Sequence, residues 1–525
     1  VGPKARRPAA LGPVSSVCPT DQPNSAAPLT GCFLPTETPF GSVRIRLTPG
    51  TPLSGTGFAE KHGFTLILLA KGLMMIDFAR TVTPDRGPVT PELPDFYAVR
   101  GKCAQKRLVI VVRADPVICG HSGEARHLAE TAIRSGFSEV KILTWPIETL
   151  QKAGLPLKPL DTIAPYSDGI TVERPPAVGD YKVPDGRLTL ALKGRLVELF
   201  TDGVPTVCLS LYLVPHTQIV TEAVAAARST GLPVDVTTIA EAVGSDITNV
   251  VRSCVEEGRM GPAMYLFSTY LASDRCVAVS AYTRDLIVQA AQEVDAACGT
   301  AFAVQCRERV TISYPAMDAQ ALGGVLPPAA DAAIERRGLT RGGYALFLSR
   351  VTPAKGVDDL IRAYQASEAK GSVRLVIAGT GPALPEYRAL AAGDPDILFF
   401  DDVDDEEKPL LMHGAAAYVL PSKPRPEFVE TFGIALAEKM LVGGEGPVIT
   451  TATGGIPEAV GDTHLPIEAG NIPSITAALD HAVLGMTREE KQKNVDAARA
   501  FAMQFDRTNV FANLLGEFVA VGKAV

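Results

Sequence analysis

The chain has 525 residues, of which 46% are hydrophobic and 21% charged, with a formal net charge of −8 and a single tryptophan. That length exceeds what one core usually serves and calls for two domains. The acidic balance argues against a nucleic-acid partner, because binding phosphate backbones needs clustered lysine and arginine. Nine cysteines are scattered and nowhere spaced as C-x-x-C, so they are expected to be reduced thiols of a cytoplasmic protein.

Residues 1–56 are rich in Pro, Gly, Ser and Thr, a composition of loops rather than of a packed core. No apolar run follows Lys4, Arg6 and Arg7, so no secretory leader is expected. The runs "SVRIRL", "FTLILLA" and "LMMIDFA" between Ser42 and Val82 suggest a small strand meander. The most apolar of this stretch, Phe64–Ala79, is interrupted by Lys71, Gly72 and Asp77. It is shorter than the roughly 20 residues of a spanning helix, so no membrane span is expected. Residues 1–104 thus form an N-terminal extension ending in the Pro-rich "VTPDRGPVTPELPDF".

From Lys106 the texture changes to alternating strands and helices. "KRLVIVVRA" reads as a buried strand, followed by a glycine-containing loop, a helix "EARHLAETAIRSG" ending at Gly136, and the strand "EVKILTW". The pattern repeats through "PTVCLSLYLV", "LPVDVTTI" and "DRCVAVS", giving one parallel sheet over residues 105–325. Leu322–Gly343, with its Pro and Gly, reads as an interdomain linker. A second α/β series, residues 340–505, contains "YALFLS", "VRLVIAG", "DILFFDD", "AAYVLPS" and "GPVITT". The predicted fold class is α/β, two doubly wound Rossmann-like domains facing a cleft, with ligands outside the carboxyl ends of the strands.

The second series has the denser chemistry. Arg350 and Lys355 follow one strand end and suit an anionic group such as a diphosphate, although solvated surface cations would look the same. Gly379 and Gly381 in "IAGTGP" allow a backbone to approach a ligand or simply turn a corner. In "ETFGIALAE" the helix is expected to start near Phe432, placing Glu430 at the mouth and Glu438 two turns down. The N–H groups of Phe432, Gly433 and Ile434 would then point at a phosphate. An ordinary amphipathic helix with one buried and one exposed glutamate fits the same spacing. No cluster has metal-ligand spacing.

Arg350 with Lys355-Gly356, "IAGTGP", "LPS", Glu430 to Glu438 as E-x7-E, and "GGIPE", in that order, resemble the retaining glycosyltransferases of family four, which have the GT-B fold. The likeness covers about residues 105–520 and is thinner in the first half. It implies a nucleoside diphosphate sugar held by the second domain, with Arg350 and Lys355 on the diphosphate, Glu430, Thr431 and the following backbone on the sugar, and Glu438 on the ribose. Val403, in "DDVDDEEK", would lie where the base stacks; a carboxylate at Asp402 would favour guanine over uracil. The first domain would take a small-molecule acceptor. Gly120 and Gly123 would lie near the diphosphate; His121, Glu124, Tyr212, Ser245 and Asp246 would face the acceptor, with His216 as a further catalytic candidate. A last helix, residues 506–525, would cross back onto the first domain.

The chain departs from the family at "VTTIAEAVGSD", where many relatives carry a histidine, and in longer loops before Glu430 and after Glu438. The resemblance implies transfer with retention, UDP or GDP as leaving group, and no metal or cofactor; a homo-oligomer is compatible with it. A GT-B epimerase or phosphorylase, or a nucleotide-sugar-binding partner protein without turnover, would share these features.

Overall fold

Arg107–Val111 is apolar on both faces because it lies at the centre of a sheet covered on both sides. Leu108 and Ile110 pack with Ala125, Leu128 and Ala129, while Val109 and Val111 pack with Leu192, Leu196 and Ile219. The structure is a computed structural model that describes residues 67–68, 74–75, 106–179, 184–426 and 428–516. Contacts divide the chain into residues 1–92 and 93–525. In the first unit β1 (Ile67–Leu68) pairs antiparallel with β2 (Met74–Met75); the remainder of the expected meander lies outside the described residues.

In the second unit, one sheet contains β3 (Arg107–Val111), β4 (Glu139–Leu143), β5 (Ile170–Glu173), β6 (Thr206–Leu211), β7 (Val236–Ala242), β8 (Arg275–Ala278) and β9 (Val310–Ile312). Their order is β5-β4-β3-β6-β7-β8-β9, all parallel. The other contains β10 (Tyr344–Leu348), β11 (Arg374–Ala378), β12 (Ile397–Phe400), β13 (Ala417–Leu420), β14 (Val448–Thr451) and β15 (Leu465–Ile467). Its order, β12-β11-β10-β13-β14-β15, is also parallel throughout. Each order reverses beside its first strand, between β3 and β6 and between β10 and β13, and such switch points are where open α/β sheets present ligand crevices.

Three local expectations change. The glycine-containing loop after β3 is already helix, since the first helix runs Gly120–Arg134. The stretch read as a linker contains a helix, Pro327–Arg336, with proline in its first turn, where the missing N–H costs nothing. Its Ala330, Ala333 and Ile334 are buried. The helix expected from Phe432 begins at Ile434, because Gly433 adopts φ 104 and breaks the turn before it.

The C-terminal helix Arg507–Leu515 returns to the first sheet, where Val510, Phe511, Leu514 and Leu515 join the core of Leu108 and Ile110. The crossing is tied by Met317 N–H to the Phe505 carbonyl at 3.0 Å and Arg507 N–H to the Met317 carbonyl at 2.6 Å. Among the described residues no helix is long and apolar enough to cross a membrane.

Candidate active site

The loops at the end of β10 are shaped by close backbone approach. A Cβ at Gly379 would come 2.1 Å from the Ser349 carbonyl oxygen, and one at Gly381 2.1 Å from that of Val351. Both glycines therefore serve the packing of two strand-end loops. Arg350 emerges between them, exposed. Lys355 lies in the short 3-10 turn Pro353–Lys355, followed by Gly356 at φ 69, where a Cβ would strike the Pro421 carbonyl. The lysine is 7% exposed, ion-paired with Glu430 and 5.4 Å over the Phe428 ring.

The Glu430 loop is sewn in place by "GGIPE". Gly455 N–H donates to the Glu430 carbonyl at 2.9 Å, and a Cβ at Gly455 would lie 2.0 Å from the Thr431 oxygen. Phe432 turns its ring inward, 5.5 Å from Tyr314 and 5.0 Å from Phe505, so only its backbone remains for a ligand. Glu438 is held by Lys408 at 2.5 Å. That lysine closes the acidic run "DDVDDEEK", and its pairing depends on a partner in another helix. Val403 is half-buried beside this region. Asp402, expected beside a base, is bound by Arg337 at 2.7 Å, and the same guanidinium pairs with Glu407 at 2.5 Å.

On the facing side the first helix begins at Gly120, where a Cβ would lie 2.6 Å from Ile434 Cδ1. The N-termini of the helices Gly120–Arg134 and Ile434–Val442, one from each sheet, thus meet across the cleft. Two converging helix N-termini favour an anion between them. At Gly123 a Cβ would meet nothing within 4 Å. His121 is pushed down to about 4 by burial and by the charges of Arg113 and Arg350, so the arginine at the end of β10 acts electrically on the opposite wall.

Tyr212 follows β6 with φ 89 and ψ 128, a backbone region that costs a non-glycine residue about 1–3 kcal/mol. Its N–H donates to the Glu241 carbonyl at 3.0 Å, and Ser245 Oγ lies 3.4 Å from its hydroxyl. His216, in the turn Leu213–Thr217, is 1% exposed. It stands edge-on to Trp145 at 5.0 Å and to Tyr212 at 6.2 Å. Neither ring nitrogen has a hydrogen-bond partner of good geometry, although the backbone of Leu211 and Tyr212 runs beside it. Burial, then Arg113, push His216 down to about 3, leaving a neutral imidazole.

Two residues expected at the acceptor are interior instead. Glu124 is 2% exposed, its Oε1 accepting from Ala316 N–H at 3.2 Å. It lies against Glu241, which is 0% exposed and, among the described residues, finds its only side-chain partner in Glu124. Burial raises Glu124 to about 7 and raises Glu241 as well, helped by repulsion from Glu124, so the pair retains a proton near neutrality. The period of a strand explains the placement: Ala240 and Ala242 face one core, which turns Glu241 to the other side, under the first helix. Asp246 is fully buried and accepts from the N–H groups of Leu213 (3.1 Å), Val243 (3.4 Å), Gly244 (3.0 Å) and Ile247 (3.1 Å). It splints the two loops that display Tyr212 and Ser245.

The motif reading missed two residues. Glu458 spans the cleft, its carboxylate accepting from Ala281 N–H at 2.7 Å and Tyr282 N–H at 2.9 Å, the first turn of the helix Ala281–Cys298. Arg113 stands just beyond β3, 5.5 Å over the Tyr212 ring; a lone basic residue after an apolar strand was the available signal. A second bridge is Lys158, 2.5 Å from Asp405 and 3.3 Å from Asp115. Among the described residues no group of three or more His, Cys, Asp or Glu is arranged to hold a metal ion.

Residues 334–499 match the family Glycosyl transferases group 1. O-antigen chain mannosyltransferase B of Escherichia coli is 27% identical over 166 residues, covering 30% of this chain and 41% of that protein. A GDP-mannose-dependent alpha-(1-6)-phosphatidylinositol monomannoside mannosyltransferase of Mycolicibacterium smegmatis is 31% identical over 153 residues, covering 28% and 40%. The matched segment thus spans about two-fifths of these curated relatives. Among solved structures, Anabaena HepE in complex with UDP and glucose superposes with TM-score 0.56 at 15% identity, covering 78% of this chain and 99% of that one. Sucrose-phosphate synthase of Thermosynechococcus elongatus gives 0.55 at 18%, covering 79% and 98%. At these identities the superpositions speak to the fold alone.

Proposed function

From the premise that this chain has the GT-B fold of glycosyltransferases and carries the group 1 segment in its second domain, we propose that it transfers a sugar from a nucleoside diphosphate sugar to a small acceptor, with retention. The observation that carries this reading is the Lys355–Glu430 pair beside Arg350, which has no ionic partner among the described residues, where two helix N-termini converge. On donor binding, Lys355 exchanges the Glu430 carboxylate for diphosphate oxygens, and Arg350 closes on the same charge. Glu430 is released to accept hydrogen bonds from sugar hydroxyls.

The bond between the anomeric carbon and the diphosphate oxygen breaks, and the acceptor oxygen bonds to that carbon on the same face. The acceptor's proton passes to the departing diphosphate. Preorganised cations and N–H groups aimed at the developing charge typically supply several kcal/mol. In this reading Arg350 and Lys355 neutralise the leaving group and no metal is required. Glu438, steered by Lys408, binds the ribose. The curated relatives favour GDP-mannose as the first donor to try, with UDP-glucose second.

The test is thermal unfolding with GDP, UDP and ADP at millimolar concentration, followed by assay of nucleoside diphosphate release from each donor. A ligand at about 100 times its Kd adds roughly 2.7 kcal/mol. Stabilisation by GDP or UDP that Arg350→Ala abolishes supports the reading; indifference to every diphosphate rejects it. Product anomeric configuration, read by NMR, decides retention.

A further inference from the structure

We propose that Arg113 is the anchor of an anion subsite for the acceptor, so that the acceptor carries a phosphate or carboxylate group; the inference rests on the glycosyltransferase reading above.

The guanidinium of Arg113 is half-buried, and among the described residues it has no carboxylate or hydrogen-bond partner, only the Tyr212 ring at 5.5 Å. The neighbouring carboxylates are all committed elsewhere. Asp115 is occupied by Arg126 (2.9 Å), Lys158 (3.3 Å) and the Tyr166 hydroxyl (3.0 Å). Asp246 is spent on four backbone N–H groups, and Glu124 and Glu241 face each other under the first helix. An acidic chain that leaves a partly desolvated arginine unpaired bears a cost that an anionic ligand would offset. A planar guanidinium also suits bidentate contact with phosphate or carboxylate.

A second, independent observation concerns His216. It is almost wholly buried, among the described residues neither ring nitrogen has a hydrogen-bond partner of good geometry, and it shares the Tyr212 ring with Arg113. A neutral imidazole beside an arginine adds a donor for the same oxyanion without adding a charge that would repel Arg113. The strained backbone of Tyr212 holds its ring among Arg113, His121 and His216. Arg350 and Lys355 already serve the leaving diphosphate from the other sheet, and Arg113 lies on the wall of Tyr212 and Ser245, so its anion is assigned to the acceptor.

The test uses the full-length chain with saturating GDP or UDP, whichever stabilises it, and titrates mannose 6-phosphate against mannose by calorimetry. The expected result is at least tenfold tighter binding of the phosphorylated sugar. Arg113→Gln should bring the two sugars within twofold of each other while leaving nucleotide affinity within twofold of wild type. Arg113→Lys, which keeps the charge, should restore part of the preference and guards against a folding defect in the glutamine variant. The His216 ring resonances should move on adding mannose 6-phosphate and stay still with mannose.

Equal binding of the two sugars to wild type would overturn the proposal. So would a tenfold loss of nucleotide affinity in Arg113→Gln, which would give the arginine to the donor diphosphate. If no nucleotide binds at all, the glycosyltransferase reading fails and the acceptor assignment falls with it. That outcome is distinguished by the nucleotide titration alone, before any sugar is added.

Discussion

The two walls of the cleft handle charge in opposite ways. At the ends of β10 and β13, Lys355 comes paired with Glu430 and Lys408 with Glu438, so three of the groups proposed for the donor are neutralised before it arrives. At the ends of β3 and β6, Arg113 has no ionic partner among the described residues, and His121 and His216 are held neutral by burial. A paired wall is stable when empty and must exchange partners to bind, whereas an unpaired wall is already desolvated and awaits its counter-charge. Under the proposed function, this difference predicts a donor wall tolerant of an open state and a selective acceptor wall.

The sharpest way to break the comparison is to remove the two donor-side cations separately. Arg350→Ala should cut turnover by about 10²–10³-fold with little change in unfolding temperature, because Arg350 is exposed. Lys355→Ala should lose comparable activity and also about 3–5 kcal/mol of stability, because it strands the buried Glu430 carboxylate. Turnover assays with thermal scans of both variants check this, and equal stability losses would contradict it.

Asp246→Ala tests whether the acceptor wall is held from within. Removing a buried carboxylate that serves four N–H groups should cost about 3 kcal/mol in urea unfolding, with acceptor use lost before nucleotide binding. Glycine positions give a smaller contrast. Gly381→Ala should cost about 1–3 kcal/mol, since its Cβ would meet the backbone of Val351. Gly123→Ala, in an open helical position, should gain about 0.5–1 kcal/mol.

The Glu124–Glu241 pair sets a pH slope. Both carboxyls bind protons more tightly folded than unfolded, so their stabilisation is complete below the ordinary glutamate range. For Glu124 it is lost as pH rises from about 4.5 through about 7, and for Glu241 it is lost in the same direction, each carboxyl contributing up to about 1.4 kcal/mol per pH unit. The histidines oppose this in acid: their lowered values give stability above about 6.5 that is lost as pH falls towards about 4 for His121 and about 3 for His216. Glu241→Gln should therefore flatten the decline on the alkaline side while leaving the acid limb unchanged, as read from denaturant midpoints between pH 5 and pH 8.

Much of the donor wall was legible. Arg350 and Lys355 follow one strand end, and Glu430 and Glu438 flank the start of one helix, Glu430 in the loop before it and Glu438 inside it. On the opposite wall, the family resemblance implies that Glu124 and Asp246 face the acceptor. The fold buries both, one against Glu241 from a different strand and the other against N–H groups of two loops. Glu458 was noticed only as the end of "GGIPE", yet it caps a helix of the opposite sheet.

The sequence by itself determined the two parallel sheets, because central strands buried on both faces must be continuously apolar and separated by helix-length segments. It also placed Glu430 and Glu438 near one helix start, although Glu430 lies in the loop before Ile434–Val442 and only Glu438 is within the helix. Only the tertiary structure decided which charges are paired. Lys408 with Glu438, Glu458 with the helix at Ala281, and Arg113 over the Tyr212 ring depend on groups far apart in the chain. Their distances are fixed by sheet order and domain packing, and charge interaction depends on those distances and on burial rather than on position along the chain.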